Sequence, residues 1–363
     1  MPLWVDKHRP TSFDGLDFHP NLNSRLIKIA DSNDLPHLLF YGPSGAGKKT
    51  RIFCLLRQLF GPGVEKIKIE KKNFRAPSKV VEITTLTSNF HIEMNPSDVG
   101  IYDRIVVQEV IKEVAASQSV NIAMNQSENN AEIKPFKVVL IAEADSLSKQ
   151  AQHGLRRTME KYASSCRIIL CCESLSKVID PVRSRCLAIR VPSPTYQEIT
   201  LAVEKVCHLE NVQISPVFAS NISHFSNRNL RRALLMCEAS RVQAGPNAKL
   251  EDDTPIQLPD WERYIALIVK EILAQQTPQV LLDTRAKLYE LLANCIPPEI
   301  IFKTLVNELS RKLDDDLKFQ IAQQAAFYQA RLATQGQKAI YHLEAFIAKF
   351  MAIYKEYLLM MFA

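Results

Sequence analysis

The chain has 363 residues, 47% hydrophobic and 23% charged, with 45 Lys+Arg against 39 Asp+Glu and a formal net charge of +6. That length calls for two or three domains, and 19 Pro with only 10 Gly in an ordinary composition exclude collagen-like chains and wholesale disorder. No run approaches the roughly 20 apolar residues that span a bilayer, and the opening Met-Pro-Leu-Trp-Val-Asp-Lys-His-Arg-Pro lacks the apolar core of a secretory signal. A soluble intracellular chain with no membrane partner is expected; its mild positive charge permits a polyanionic partner without demanding one.

In chain order, Leu38-Leu39-Phe40-Tyr41 is a buried-strand run that ends at Gly42. A helical pattern follows over Lys48–Phe60 and stops at Gly61-Pro62-Gly63. Phe90, Ile92 and Met94 alternate with polar residues, as a strand does. A helix is expected over 101–117, and the Asn-, Gln-, Ser- and Glu-rich stretch 117–134 reads as a mobile loop. The apolar runs 136–141 and 167–171 suit strands covered on both faces, with a helix over 147–162 between them and a last strand at 187–191. Strands alternating with helices imply a parallel sheet and an α/β domain. From Thr195 onward the patterns are helical; 243–260 reads as a linker, and 261–362 is helical, punctuated at Pro278, Pro297-Pro298 and Gly336. The expected domains are 1–192 (α/β), 193–245 (small helical) and 246–363 (C-terminal helical). The eight cysteines contain no Cys-x-x-Cys pair and fit small buried hydrophobes in a reducing compartment better than a zinc site.

The segment Gly42-Pro43-Ser44-Gly45-Ala46-Gly47-Lys48-Lys49-Thr50 follows a strand and opens a helix. Its glycines let backbone N–H groups and the helix N-terminus converge on the phosphates of ATP or ADP, and Lys48 reaches the β- and γ-phosphates. Where this pattern needs a Ser or Thr hydroxyl for Mg²⁺, the chain has Lys49; Thr50 comes one residue late, about 100° round the helix. The partner strand runs into Ala142-Glu143-Ala144-Asp145. Glu143 stands where an acid would polarise water, but Ala142 replaces the Asp that holds the metal. No protein side chain is therefore expected to hold a metal. Mg²⁺ should bind weakly if at all, and the site should bind nucleotide but hydrolyse it poorly. Substitution by Asp145 or Thr50 is the alternative.

These residues resemble a known family. Leu3-Trp4-Val5-Asp6-Lys7-His8-Arg9-Pro10 is similar to the adenine-side box of clamp-loader ATPases, which implies nucleotide contacts from Val5, Arg9 and Pro10. Ser184-Arg185-Cys186 is similar to the S-R-C signature of replication factor C small subunits. Asn229-Leu230-Arg231-Arg232 resembles the second sensor of AAA+ ATPases, with Arg231 toward the nucleotide. The tail Ala339-Ile340-Tyr341-His342 also fits, and the resemblance covers essentially the whole chain.

The resemblance implies an AAA+ phosphate-loop α/β domain with a parallel sheet, a helical lid and a C-terminal all-α collar. It implies a nuclear hetero-pentamer with other replication factor C subunits, which opens the sliding clamp PCNA and places it on primer–template DNA in replication and repair. It also implies that Arg185 reaches a neighbour's γ-phosphate. Read from the residues alone, Arg183 and Arg185 are equally open to structural ion pairs. Three departures stand out: His8 replaces a Tyr, Glu173 occupies the first-sensor position, and Ser97-Asp98-Val99-Gly100 lacks the family's Arg near DNA.

Arg104, Lys112, Lys149, Arg156 and Arg157 are candidate DNA-phosphate contacts, weighed against solvated surface charge. The stripe Val106, Val110 and Val114 is a candidate clamp contact, weighed against core. Tyr341, Phe346, Phe350, Ile353 and Tyr354 suit either a subunit interface or internal packing. Competing readings are an autonomous DNA-stimulated AAA+ ATPase, such as an initiator or branch-migration motor, and a small-molecule kinase. Lys49 and Ala142 argue against the first, and the helical second half argues against the second.

Overall fold

The computed structural model describes the chain except residues 1, 33–34, 76–79, 126–135, 246–248, 253, 335–337 and 363. It divides into two compact units, Met1–Ile256 and Gln257–Ala363.

The first unit opens with a short helix α1 (Trp4–Lys7) and α2 (Pro20–Asp31). Among the described residues its strands are β1 (Leu38–Tyr41), β2 (Lys68–Arg75), β3 (Val80–Thr87), β4 (His91–Met94), β5 (Lys137–Ile141), β6 (Cys166–Cys172) and β7 (Leu187–Arg190), in the sheet order β2-β3-β4-β5-β6-β1-β7. β4, β5, β6, β1 and β7 run parallel, as the apolar runs predict. Alternate residues feed two cores. Val139, Ile141, Ile168 and Leu170 meet α4 (Asp103–Asn125) and α5 (Lys149–Lys161), while Leu38, Phe40, Leu140 and Ile169 meet α2 and α3 (Lys48–Phe60). Each such fully buried Leu or Ile contributes about 1.5–3 kcal/mol.

Several expectations need correction. β2 and β3 form an antiparallel extension beyond β4, so the sheet is mixed. Lys68–Arg75 is too polar to signal a strand, because at the sheet edge it is held by backbone pairing and buries little beyond Phe74. α4 begins at Asp103 and continues to Asn125, so the first residues of the expected loop are helical; the remainder of that loop lies outside the described residues. Val106, Val110 and Val114 are buried in the core, which removes them as clamp contacts.

After a short helix α6 (Asp180–Arg183) come α7 (Tyr196–Leu209), α8 (Pro216–Phe225) and α9 (Leu230–Ala244). α7 starts with a capping box in which Thr195 and Glu198 satisfy each other's backbone N–H. Ile199, Val203, Phe218, Ile222 and Cys237 form a separate core that also takes in Trp4. The described part of the expected linker is not free. Leu250 pairs with Ile214 in a parallel bridge and is buried in this core.

Among the described residues the second unit holds the helices α10 (Asp260–Ala274), α11 (Pro278–Ala293), α12 (Pro298–Ser310), α13 (Asp315–Thr334) and α14 (Ala339–Phe362). Pro278 and Pro298 sit at the first helical positions, where a missing N–H costs nothing. Phe302, Phe346 and Phe350 are buried at its centre, whereas Tyr341 is exposed. None of the described helices is long and apolar enough to cross a membrane. All eight cysteines are free thiols.

Candidate nucleotide site and its neighbours

The loop between β1 and α3 takes its shape from three left-handed or extended glycines. Gly45 and Gly47 have φ of 71° and 81°, and a Cβ on Gly42 would lie 2.0 Å from the Val191 carbonyl oxygen. Lys48 Nζ donates to the Gly42 and Pro43 carbonyls at 2.6 and 2.9 Å, which holds its ammonium over the loop. Ser44, Gly45 and Ala46 complete the turn, and Gly47 caps α3.

One residue that sequence reading missed braces this loop. Arg51 is fully buried and donates to the Ala46 carbonyl at 3.1 Å, the Phe18 carbonyl at 3.1 Å and Asn23 Oδ1 at 3.3 Å. Its guanidinium lies 4.6 Å from the Phe18 ring centre. Burial lowers its pKa to about 10, so it stays charged at neutral pH. Its only sequence signal is a basic residue beside Ile52 on an otherwise apolar helix face.

Lys49 turns to the buried carboxylate of Glu93 on β4 and pairs with it. Thr50 instead lines a cavity beside the loop. Ala142 contributes only its backbone, donating to the Met94 carbonyl at 3.0 Å. Glu143 is exposed, sits in the left-handed region at φ 52°, and accepts from Ser97 Oγ at 3.4 Å. Asp145 is half-buried, and its charge adds to the burial that pushes the Cys172 thiol up to about 12. Glu173 is exposed at the end of β6. Among the described residues no three His, Cys, Asp or Glu come together as metal ligands. A cation already paired at the hydroxyl position and a methyl at the Asp position do not fit a protein-held Mg²⁺.

This cavity has a volume of about 140 Å³ and brings together Val5, Arg9 and Pro10, the loop residues Gly45, Gly47 and Thr50, and Arg231 of α9. Sequence reading missed Phe18, Lys205 and Leu209 on its walls. The opening segment is tied to α7 and α9. His8 Nε2 lies 2.5 Å from Glu210 Oε1, which also accepts from Lys7 Nζ at 2.6 Å. Lys7, then His8, hold that carboxyl below its usual range. Trp4 N–H donates to Glu238 at 3.1 Å, and Arg241 lies over the Trp4 ring. Asn229, the N-cap of α9, stands where a Cβ on Gly45 would be. The lid helix and the phosphate loop therefore touch directly.

Arg185 is not on this cavity. It follows α6, and its Nε donates to Glu160 Oε1 at 2.6 Å and its Nη1 to the Pro181 carbonyl at 2.7 Å. Arg183 pairs with Asp180 at 2.9 Å. Arg104, Arg156 and Arg157 line one shallow cavity with Gln108, Gln150 and His153, but Lys112 and Lys149 do not. Asp103 fixes the two helices that carry these arginines by accepting from Ser148 N at 2.7 Å and Ser148 Oγ at 2.9 Å.

Residues 261–358 match the family model "Replication factor C subunit 3, C-terminal domain", residues 202–242 match "RCF1/5-like, AAA+ ATPase lid domain", and residues 18–195 match "DNA polymerase III, delta subunit". The chain is 54% identical to replication factor C subunit 3 of Bos taurus and 53% identical to that of Homo sapiens, in each case over 99% of this chain and 98% of the relative. It is 50% identical to replication factor C subunit 5 of Neurospora crassa over 99% of both. A solved structure of the Thermotoga maritima RuvB branch migration motor matches with 17% identity and a TM-score of 0.48, over 77% of this chain and 85% of that one, a likeness too distant to bear on activity.

Proposed function

Because the chain belongs to the replication factor C family, we propose that it is one subunit of a hetero-pentameric clamp loader that binds nucleotide, hydrolyses it poorly, and helps its neighbours hydrolyse theirs. The complex would act in the nucleus, placing PCNA on primer–template DNA during replication and repair. The observation that carries the reading of its own site is the Lys49–Glu93 pair beside an intact phosphate loop.

ATP or ADP would be held by the loop N–H groups and Lys48 at the phosphates, by Val5, Arg9 and Pro10 at the base, and by Arg231 from the lid. Lys49, anchored by Glu93, supplies fixed positive charge where a metal would otherwise be needed. Glu143 retains the acidic position, but a bound metal to accompany it is missing from the donor set. Arg185 acts on a neighbour: its charge stabilises the negative charge that develops on the γ-phosphate. Arginine fingers of this kind are worth on the order of 10³–10⁵ in rate in GTPases.

The cluster Arg104, Arg156 and Arg157 supports a phosphate-tracking contact with DNA, which positions the complex without reading bases. We assign the nucleotide-binding domain to 1–192; because Leu250 and Ile256 pack with the core of α7–α9, the lid extends over 193–256 instead of ending at 245, and 257–363 is the collar that joins subunits. An autonomous motor needs its own metal site, which Lys49 and Ala142 do not offer. The test is steady-state ATPase of the isolated chain beside Lys49→Thr/Ala142→Asp, with the native mass of the assembly. Negligible turnover and a pentamer are expected. Brisk turnover by the unmodified chain, or a lone monomer in cells, would overturn the reading.

A further inference from the structure

Arg185 is held by a carboxylate from a different element. Glu160, in the last turn of α5, accepts from Arg185 Nε at 2.6 Å and pairs with Nη2 at 2.5 Å through the same oxygen. The Pro181 carbonyl takes Nη1 at 2.7 Å, and Ser184 Oγ lies 3.3 Å from the same nitrogen. These contacts use one edge of the guanidinium and its Nη1 corner. Nη2 keeps a second N–H with no partner among the described residues.

The pair is surface-lying, with side-chain exposures of 29% for Arg185 and 52% for Glu160, so it adds little to stability. Its effect is geometric. A long, rotamer-rich side chain is fixed in plane and direction by contacts at Nε, Nη2 and Nη1, which leaves the second Nη2 N–H for a further acceptor. Arg156, the other cation near Glu160, stands back at 3.9 Å and does not compete for it.

We propose that Glu160 is a positioning residue for Arg185: it orients the guanidinium so that the remaining Nη2 N–H meets the terminal phosphate of a nucleoside triphosphate on an adjoining subunit. The inference rests on the reading of Arg185 as a group acting in trans. An arginine left to sample its rotamers would meet that phosphate less often and less squarely. Misplacement of this order costs rate rather than binding.

The experiment is steady-state ATPase of the reconstituted complex with clamp and primed DNA. It compares Glu160→Ala, Glu160→Gln, Arg185→Ala and Glu160→Ala/Arg185→Ala, with assembly of each confirmed by native mass. Glu160→Ala should lower kcat roughly tenfold and leave the KM for ATP within about twofold. Glu160→Gln, which keeps the accepting oxygen, should recover much of the loss. The double variant should be no slower than Arg185→Ala alone, because Glu160 acts only through Arg185. Unchanged or faster turnover in Glu160→Ala, or an additive loss in the double variant, would overturn the positioning role while Arg185→Ala still slows the complex. A neutral Arg185→Ala would instead overturn the trans-acting reading and this inference with it.

Discussion

Lys49, in the first turn of α3, forms an ion pair with Glu93 on β4, across the space between the phosphate loop and the sheet. The Glu93 side chain is only 7% exposed, so Lys49 is the cation that compensates a carboxylate shielded from water. The cation that occupies the hydroxyl position of the loop is therefore built into the fold. It is not a loose surface lysine.

Removing Lys49 alone should leave a buried carboxylate unpaired. Lys49→Ala should destabilise the first unit by about 1–3 kcal/mol, whereas Lys49→Met/Glu93→Leu should recover most of that loss. Urea unfolding of the four-member cycle measures the coupling directly. A Lys49→Ala chain as stable as the parent would mean that the pair is incidental.

Nucleotide binding should be nearly independent of divalent metal. Labelled ADP titrated into the isolated chain should give the same affinity, within about threefold, with Mg²⁺ or with excess chelator. A collapse on chelation would show that Thr50 or Asp145 recruits a metal after all.

His91 gives a pH signature. It is fully buried, its Nδ1 lies 2.7 Å from Ser88 Oγ, and its Nε2 has no partner among the described residues. Burial, with the charge of Lys137 added, lowers its pKa to about 4. The unfolded imidazole titrates near 6.5, so between these values the folded chain binds fewer protons than the unfolded one. This contribution is complete above the unfolded pKa and is lost as pH falls toward the folded one. It should amount to about 2 kcal/mol between pH 7 and pH 5. Denaturant unfolding of the parent and of His91→Gln at both pH values checks this: the parent should lose more stability than the variant by that difference.

Arg51 should couple loop integrity to nucleotide affinity. Arg51→Met keeps length and apolar packing but strips donors from the Ala46 and Phe18 carbonyls and from Asn23. Thermal unfolding should report a loss of about 2–4 kcal/mol, and bound nucleotide should stabilise the variant less than the parent. Equal stabilisation would confine Arg51 to packing.

The parallel strands and the phosphate loop were legible in the sequence because each carries a strong local signal. Leu38–Tyr41 is a continuous apolar run, the loop has fixed glycine spacing, and Pro278 and Pro298 mark helix starts. What was not legible depends on contacts distant in sequence. Lys49 shows that a metal donor is missing, but nothing local points to Glu93 as its partner. The Arg51 brace joins residues 28 and 33 positions apart in the chain. The stripe Val106, Val110 and Val114 fits a docking face as well as a core face, and only the sheet packed against it decides for core. At the sheet edge, β2 escaped because an edge strand needs no apolar pattern.

The central claim is that this subunit's own site and its trans-acting arginine do different work, and steady-state ATPase of the reconstituted complex, with Lys48→Ala and Arg185→Ala made separately, tests it most directly. Arg185→Ala should leave nucleotide affinity of the single chain unchanged and slow the complex by tenfold or more, on the order of a lost transition-state charge. Lys48→Ala should weaken nucleotide binding to the single chain and cost the complex little turnover. The opposite pattern, with binding lost in Arg185→Ala and turnover lost only in Lys48→Ala, would contradict the account.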